Sequence, residues 1–286
     1  MKHFFIITNA AKDTDYSYAA HLAEEIRSLG GEASFLAMDG FEAGYQEKLL
    51  QSIPDATEGL IVIGGDGTLI KAARDTQSLS LPIIGVNLGK LGYLCEVDEA
   101  HARDALSNLL SDAFHIEERM MLKAEVHRKG AVLVSDAALN DVVIHRSGAL
   151  HVISFEVAVN GLSLSSYVAD GIIISTPTGS TAYNLSAGGP IVEPQARMIV
   201  LTPINSHDLN RHSIVLDSEK ELKITIRGGI FVSDASIDVS FDGISATRLC
   251  PEDEIRIRKS ERSARIIRIS NDSFLEILRK KMQHYN

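Results

Sequence analysis

The chain has 286 residues, of which 45% are hydrophobic and 23% are charged. This length predicts one large or two modest domains, with a core that folds without disulfides or a structural metal. The formal net charge of −10 argues against general nucleic-acid binding and against docking on anionic lipid, since both need a basic surface. The apolar runs are too short for a signal peptide or a membrane span, so the predicted location is cytoplasmic.

The first hundred residues alternate between strand-like and helix-like segments. Short apolar runs predict buried strands at residues 4–8, 33–37, 60–63 and 82–86. Apolar residues at spacings of three and four predict helices from Tyr16 to Leu29, around Ala43 to Ile53, and through Ala72 and Ala73. Strands separated by helices of this length predict an α/β domain with a parallel sheet.

From about residue 120 the pattern changes to alternation with a period of two. It predicts strands at residues 122–127, 131–135, 139–145, 153–159, 171–175, 198–201, 221–226, 237–241, 254–257 and 264–269. Asn160-Gly161 between apolar runs predicts a two-residue hairpin. Few helices fit between these strands, so this half is predicted to be mostly β, as a sandwich or as stacked sheets.

The last segment, residues 273–282, returns to a helical pattern. Ser273 and Glu276 form a capping box at its start. Phe274, Leu275, Leu278 and Met282 form an apolar face, which we expect to pack onto a domain rather than to bind nucleic acid.

A Gly-rich turn follows the strand at residues 60–63, and it consists of Gly64, Gly65, Asp66, Gly67 and Thr68. Glycines at such a turn let backbone N–H groups approach an anion, and the next helix offers its positive end. Lys71 and Arg74 on that helix are candidate phosphate ligands, although each alone is typical of a solvated cation. Asp66 suits proton abstraction from a hydroxyl or help in holding Mg²⁺; the alternative is that it only caps the helix.

A second polar cluster lies in the β half. Asp170 precedes a predicted strand, and residues 175–184 then bring together hydroxyl side chains, Gly179 and Tyr183. Ser186 continues this run of small and polar residues. Such a loop supplies many hydrogen-bonding groups with little bulk, but Ser, Thr, Gly and Pro also build ordinary turns.

Together these motifs resemble the NAD kinase family, whose members phosphorylate the adenosine ribose 2′-hydroxyl of NAD to make NADP. The resemblance rests on the Gly-rich turn, on residues 85–89 and 91–94, on Leu139-Asn140-Asp141, and above all on residues 169–171 and 175–184. His207, Arg211 and Asp242-Gly243 add support. The Gly-Gly-Asp-Gly-Thr turn alone is shared with lipid kinases and with phosphofructokinase-like enzymes, whereas the second block is far more specific.

The resemblance implies a two-domain NAD kinase-like fold. Its parts are an α/β domain at residues 1–118, a β-rich NAD-binding domain at residues 119–265, and a C-terminal segment at residues 266–286 that packs back on the first domain. It further implies a homodimer or homotetramer with NAD bound at the domain junction and contacted from neighbouring subunits.

The resemblance also implies roles for individual residues. Asp66 would orient or deprotonate the 2′-hydroxyl, with Gly65 and Gly67 beside the same substrate. The remaining NAD ligands would be Asn140 and Asp141 for the adenosine part, Thr181, Ala182 and Tyr183 for the adenine pocket, and Asp170 and Ser186 for the nicotinamide end. Phosphates would meet Gly64, Gly65, Gly67, Thr68, Lys71 and Arg74, with Mg²⁺ bridging ATP, the phosphoryl donor.

Two departures from the family pattern and two alternative functions stay open. Asp141 stands where the family usually has Glu, and Tyr93 stands where Phe is commoner. The alternatives are a lipid or sphingoid kinase that shares the Gly-rich turn, and a non-catalytic dinucleotide sensor. The sequence does not assign the metal ligands, the range of phosphoryl donors or the preference between NAD and NADH.

Overall fold

The computed structural model describes residues 1–38, 45–89, 92–148, 152–207, 211–229 and 236–283. Ala43 of a predicted helix and Leu91 of a predicted motif lie outside these residues. The chain divides into two compact units, Met1–Glu118 with Arg262–Asn286 and Arg119–Glu261. The first unit thus contains both ends of the chain. The functional domain boundaries given above, after residues 118 and 265, stay a prediction.

A parallel sheet forms the centre of the first unit. Its strands are β1 (His3–Asn9), β2 (Glu32–Met38), β3 (Gly59–Gly64), β4 (Ile83–Asn87) and β5 (Val97–Asp98). They lie in the order β2-β1-β3-β4, with β5 beside the end of β4, and every pair is parallel. The helices of this part are α1 (Ser17–Ser28), α2 (Tyr45–Ser52), α3 (Asp66–Asp75) and α4 (Ala102–Leu110). The predicted α/β fold is confirmed.

The apolar pattern explains why these segments pack as they do. Every residue of β3 and β4 is buried, as expected of strands covered on both faces of a sheet. Helix α1 buries Ala19, Leu22, Ala23 and Ile26, which are the residues at helical spacing. The register places Gly64 beside Asn87, so the carboxyl ends of neighbouring strands meet at the edge where open α/β sheets bind ligands.

The second unit is built from antiparallel strands in two sheets. Its strands are β6 (His115–Arg128), β7 (Ala131–Ala138), β8 (Asp141–Ser147), β9 (Ile153–Val159), β10 (Leu162–Ala169), β11 (Gly171–Ser175), β12 (Met198–Ile204), β13 (Ile214–Asp217), β14 (Leu222–Gly229), β15 (Ser236–Phe241), β16 (Ile244–Leu249) and β17 (Glu254–Arg268). One sheet has the order β13-β12-β11-β8-β15-β16, and the other contains β10-β9-β14-β17. Ile144 of the first sheet and Phe155 and Ile224 of the second share one buried core. The predicted mostly-β half is confirmed.

Local signals predict some of these elements and miss others. The hairpin at Asn160-Gly161 is present, with φ angles of 49° and 78° and antiparallel pairing of β9 with β10. Strands β13 and β16 are absent from the predicted set. The two strands predicted at residues 254–257 and 264–269 are parts of the single strand β17. A short helix, α5 (Tyr183–Ser186), ends the polar loop at residues 175–184.

The end of the chain returns to the first unit. Ile266 of β17 pairs in parallel with Ile83 of β4, and α6 (Phe274–Gln283) follows. Ser273 and Glu276 exchange the hydrogen bonds of the predicted capping box, at 2.7 Å and 3.3 Å between side chain and backbone N–H. No residue of α6 is fully buried: Leu275 and Met282 of its apolar face are 71% and 58% exposed, whereas Phe274 and Leu278 are partly buried. That this face packs onto a domain stays a prediction.

Substitution of Gly85 tests how tightly β4 packs. A Cβ atom placed on this buried residue would overlap the thiol of Cys95 and lie 2.7 Å from Leu69 Cδ1. Because overpacking of a dense core costs energy, we expect Gly85→Ala to lower the free energy of unfolding by about 1–3 kcal/mol. Urea unfolding measures this change. Gly89→Ala is the control, because its Cβ would meet only Asn87 Oδ1 at 3.8 Å; equal losses in both variants would contradict the packing described here.

Candidate functional site

The Gly-rich turn connects the buried end of β3 to the first turn of α3. Gly64 has no room for a side chain, because a Cβ atom there would overlap Thr68. Gly65 has extended φ and ψ angles of −120° and −173° and caps α3 without a side-chain hydrogen bond. In the first helical turn the N–H of Thr68 donates to the carbonyl of Gly65 at 2.9 Å. The N–H groups of Asp66 and Gly67 lie at the positive end of the helix, beside glycines that add no bulk, as an anion-binding turn requires.

Asp66, the first residue of α3, is held by the backbone of another segment. Its carboxylate accepts hydrogen bonds from the N–H groups of Tyr93, Leu94 and Cys95 at 2.6, 3.2 and 3.0 Å. Gly92 lies so close that a Cβ atom there would overlap the Asp66 carboxylate. Asp66 thus has one fixed orientation, which a cap of its own helix would not explain.

The thiol of Cys95 lies against the same carboxylate. Burial, followed by the negative charge of Asp66 and a hydrogen bond to it, raises the pKa of this thiol far above its ordinary value of 9.0. Cys95 therefore remains protonated and unreactive at neutral pH. Its S–H group adds a fourth donor beside the three backbone N–H groups at Asp66.

The cations predicted beside the turn lie elsewhere. Lys71 forms an ion pair with Asp75, and Arg74 Nε lies 3.7 Å from an oxygen of the same carboxylate. Asp75 is about 13 Å along the helix from Asp66, so the structure does not bring these two side chains to the glycines. Their binding of phosphate stays a prediction.

A different lysine lies at the turn, and sequence reasoning missed it. Lys12 follows β1, and its Nζ is 3.1 Å from the position of a Cβ atom on Gly65. Asn9, at the end of the same strand, donates a hydrogen bond from Nδ2 to Thr68 Oγ1 at 3.0 Å. Both residues could have been predicted from the sequence, because they follow strand β1. The carboxyl end of β1 lies at the same edge of the parallel sheet as the end of β3.

In the second unit, several polar side chains of the hydroxyl-rich loop at residues 175–184 form hydrogen bonds within the protein. Thr176 Oγ1 donates to the carbonyl of Leu139 at 2.6 Å, and Ser180 Oγ donates to the carbonyl of Pro177 at 2.6 Å. Asn184 donates to the carbonyls of Ser180 and Pro190 and accepts from Thr202. These buried side chains shape the loop rather than offering groups to a ligand.

This loop brings several predicted residues to one cavity. The backbone of Asn140 lies where a Cβ atom of Gly179 would be, so only glycine permits the close approach of the two segments. The cavity has a volume of about 580 Å³ and is lined by Asn140, Asp141, Val143, His145, Ala182, Tyr183, Ser240, Asp242 and Gly243. Four of these nine residues are predicted NAD ligands. The volume is in the range of small-molecule sites.

Asp242 organises one wall of this cavity, and the sequence analysis did not place it in the site. Its carboxylate accepts hydrogen bonds from the N–H groups of Leu139, Asn140 and Asp141 at 2.9, 2.7 and 3.2 Å. Asp242 and Gly243 have φ angles of 49° and 78° and form the turn between β15 and β16. The Asp-Gly pair predicts a turn at this position. It does not show that the Asp242 side chain contacts residues 139–141, which lie about a hundred positions earlier in the chain.

Asp141 has unusual electrostatics for a carboxyl group. It is only 4% exposed, and burial, followed by the negative charge of Asp242, raises its pKa from 3.8 to about 7. Near neutral pH this side chain therefore exchanges between a neutral hydrogen-bond donor and a charged acceptor.

Asp170, Thr181 and Ser186, which are also predicted NAD ligands, do not line that cavity. Asp170 accepts from Arg146 Nε at 2.7 Å and from Asn205 Nδ2 at 3.0 Å; the hydrogen bond from Arg146 is the main cause that lowers the pKa of Asp170. A second cavity of about 540 Å³ is lined by Ala187, Pro203, Asn205, Ser206, His207 and Arg211. Ser186 is next in the chain to Ala187, which lines this second cavity. Thr181 Oγ1 donates to the carbonyl of Thr178 at 3.4 Å.

Two further properties concern metals and membranes. In the described ranges, no three His, Cys, Asp or Glu side chains lie close enough together to hold a metal ion. Within the same ranges, no helix is both long enough and apolar enough to cross a membrane.

Two solved structures have the same fold. The crystal structure of yeast NADH kinase complexed with NADH matches with a TM-score of 0.85 at 21% identity, over 99% of this chain and 88% of that one. An NAD kinase from Archaeoglobus fulgidus in complex with ATP matches with a TM-score of 0.72 at 21% identity, over 98% of both chains. The fold is therefore that of the NAD(H) kinases, a class with an α/β domain and a mostly-β domain.

Sequence comparison gives the family. Residues 4–114 match the model of the ATP-NAD kinase N-terminal domain, and residues 139–269 match that of the C-terminal domain. An NAD kinase of Agathobacter rectalis is 45% identical over 286 residues, which is the full length of both chains. The chain belongs to the ATP-NAD kinase family, and the resemblance found in its motifs is confirmed.

The pKa of Asp141 predicts a pH-dependent stability. The folded protein keeps this proton up to about pH 7, whereas an unfolded Asp loses it near 3.8, so the free energy of unfolding falls as the pH rises through this interval. The amide that replaces this carboxyl group in Asp141→Asn cannot lose a proton. Relative to the parent, we therefore expect Asp141→Asn to gain about 2 kcal/mol between pH 5 and pH 8 in urea unfolding.

The control for this measurement is Asp55→Asn, which removes a carboxylate from an exposed position. The difference between this control and the parent should not change from pH 5 to pH 8. Parallel pH curves for the parent and Asp141→Asn would contradict the electrostatics given to Asp141.

Proposed function

We propose that this enzyme is an ATP-dependent NAD kinase, in which Asp66 orients and deprotonates the adenosine ribose 2′-hydroxyl. Family membership supports the overall reaction. The observation that carries the role of Asp66 is its fixed carboxylate, held by three backbone N–H groups beside an anion-binding turn. NAD is the acceptor and NADP the product.

The proposed chemistry needs few groups from the protein. The 2′-oxygen of NAD forms a bond to the γ-phosphorus of ATP, the bond from that phosphorus to the β,γ-bridging oxygen breaks, and ADP leaves. Asp66 accepts the hydroxyl proton and later passes it to water. Phosphoryl transfer depends mainly on positioning and charge stabilisation, so a carboxylate that is already oriented avoids reorganisation during the reaction.

The phosphates would bind at the glycines of the turn. Gly64, Gly65 and Gly67 would offer backbone N–H groups at the positive end of α3. The N–H of Thr68 donates to the carbonyl of Gly65 at 2.9 Å, so Thr68 would meet a phosphate through its side-chain hydroxyl. Lys12 supports this assignment, because its ammonium group lies next to Gly65 and adds positive charge to an otherwise acidic chain.

The cavity at Asn140 and Asp141 would take the adenosine part of NAD. Tyr183 lines the cavity and is 46% exposed, so its ring offers a face on which a purine can stack. Ala182 leaves space beside that ring, and Thr181 precedes it. Asp141 is one methylene shorter than the Glu usual in the family, and its buried position gives it a choice of protonation state that an exposed carboxylate lacks.

Asp170 and Ser186 would meet the nicotinamide end. Arg146 forms an ion pair with Asp170 at 2.7 Å, which holds this carboxylate in one direction. The proposed homodimer or homotetramer is supported by the edge strand β10, where Leu162 is 76% exposed, because an apolar sheet edge favours pairing with another chain. The cytoplasmic location stays a prediction.

Mg²⁺ is the proposed metal, and it would be carried by the phosphates of ATP. This fits the described residues, among which no three His, Cys, Asp or Glu side chains lie close enough together to hold a metal ion. Mg²⁺ commonly keeps waters and phosphate oxygens as most of its ligands. When bound, it would neutralise charge on the transferring phosphoryl group. Asp66 lies in the turn itself and would supply a carboxylate close to the metal-bound phosphates.

The reaction itself is tested by a coupled assay. Purified protein, NAD, ATP and MgCl₂ are combined, and the product is measured with an NADP-specific dehydrogenase. We expect a signal only when all three additions are present. Product formation without ATP, or binding of NAD with no product under any donor, would contradict the proposed function.

The role of Asp66 is tested by Asp66→Asn. The amide has a similar size but cannot accept the proton, so we expect kcat to fall by about 10²–10⁴-fold. Steady-state kinetics measures this, and circular dichroism checks that the variant is folded. Asp104→Asn, at an exposed position of α4, is the matched control and should keep the parent kcat. A folded Asp66→Asn enzyme with near-parent turnover would refute the assignment.

A further inference from the structure

The segment that holds Asp66 is itself tied to the C-terminal part of the chain. Arg268, the last residue of β17, is 6% exposed. Its Nη1 lies 3.3 Å from Glu96 Oε2, its Nε lies 3.2 Å from Glu117 Oε2, and its Nη2 donates to the carbonyl of Tyr93 at 3.4 Å. One buried guanidinium thus joins three points of the first unit.

Glu96 strengthens the same connection from the other side. Its carboxylate accepts hydrogen bonds from the backbone N–H groups of Ile269 and Ser270 and from Ser270 Oγ, the last at 3.1 Å. The side chain of Lys281 on α6 lies over the ring of Tyr93, 5.7 Å from its centre. Residues 93 and 96 are therefore anchored to a part of the chain that follows them by more than 170 positions.

These contacts flank the three N–H groups that bind Asp66. Tyr93 donates its N–H to Asp66 and accepts from Arg268 at its carbonyl. Leu94 and Cys95 donate the other two hydrogen bonds, and Glu96 follows them directly. A movement of this segment would change the position or angle of all three donors at once.

We propose that Arg268 is a positioning residue for phosphoryl transfer, because its guanidinium holds residues 93–96 in the conformation that orients the Asp66 carboxylate. This inference rests on the proposed role of Asp66. Arginine suits the task, because its planar guanidinium places several donors in fixed directions. A lysine keeps the charge but cannot reach Glu96, Glu117 and the Tyr93 carbonyl together.

The test compares Arg268→Lys in two backgrounds, the parent enzyme and Asp66→Asn. In the parent background we expect kcat to fall by tenfold to a hundredfold, since misplacement of a reacting group by about 1 Å has this effect. The KM values for NAD and ATP should stay within about twofold. In the Asp66→Asn background the same substitution should change the residual kcat by less than twofold, because the proton acceptor whose orientation Arg268 maintains is already lost.

Arg103→Lys is the matched control, at an arginine that is 69% exposed and lies 3.5 Å from Glu25; its kinetics should equal the parent's. An equal loss of kcat from Arg268→Lys in both backgrounds would overturn the positioning role. So would a change confined to KM. Near-parent turnover of Asp66→Asn alone would instead refute the proposed role of Asp66, so the two failures are distinguishable.

Arg268→Lys could fail to fold, and the double variant could have no measurable activity. A second variant and a second measurement therefore test the proposal in these cases. Glu96→Gln keeps the size of the side chain while removing the charge that pairs with Arg268, and it should lower kcat in the same direction. Hydrogen exchange by mass spectrometry should show faster exchange of the peptide containing residues 93–95 in either folded variant. Unchanged exchange in this peptide with unchanged kcat would overturn the inference.

Discussion

The arrangement of the first unit depends on a carboxylate held by backbone N–H groups. Asp66 accepts three hydrogen bonds from consecutive residues of another segment, and Gly92 lets that segment approach without steric overlap. Hydrogen bonds to a charged acceptor are strong, and their directions are fixed. The carboxylate is therefore oriented before any substrate binds. Its hydrogen bonds connect the Gly-rich turn to residues 92–96, and Arg268 connects those residues to the end of β17.

The second unit uses the same device for a different purpose. Asp242 accepts the N–H groups of residues 139–141 and thereby fixes the chain on which the cavity-lining Asn140 and Asp141 lie. Asp141 is itself buried close to this carboxylate, and its burial, followed by the negative charge of Asp242, raises its pKa to about 7. In both units, hydrogen bonds between an aspartate and three consecutive backbone N–H groups fix the position of candidate site residues.

The sequence predicted what is local and missed what is remote. Helical and strand periodicity predicted the parallel sheet, the change to β structure near residue 120 and the Asn160-Gly161 hairpin, because each depends on neighbouring residues. Lys12 and Asp242 were missed, since their roles depend on contacts with residues more than fifty positions away. Helical spacing predicted that Lys71 and Arg74 lie beside the Gly-rich turn. Spacing alone does not show that both side chains lie next to the Asp75 carboxylate. The hydroxyl groups of residues 175–184 are typical of ligand-binding loops, but the hydroxyls of Thr176 and Ser180 donate to backbone carbonyls and stabilise the loop itself.

The most direct test of this account is a crystal structure of the enzyme with NAD bound. We predict that an Asp66 carboxylate oxygen lies within hydrogen-bond distance of the adenosine ribose 2′-hydroxyl, about 2.5–3.0 Å, while the N–H groups of Tyr93, Leu94 and Cys95 still bind the same carboxylate. A 2′-hydroxyl bound by other residues, or an Asp66 side chain that leaves these N–H groups to reach it, would contradict the account.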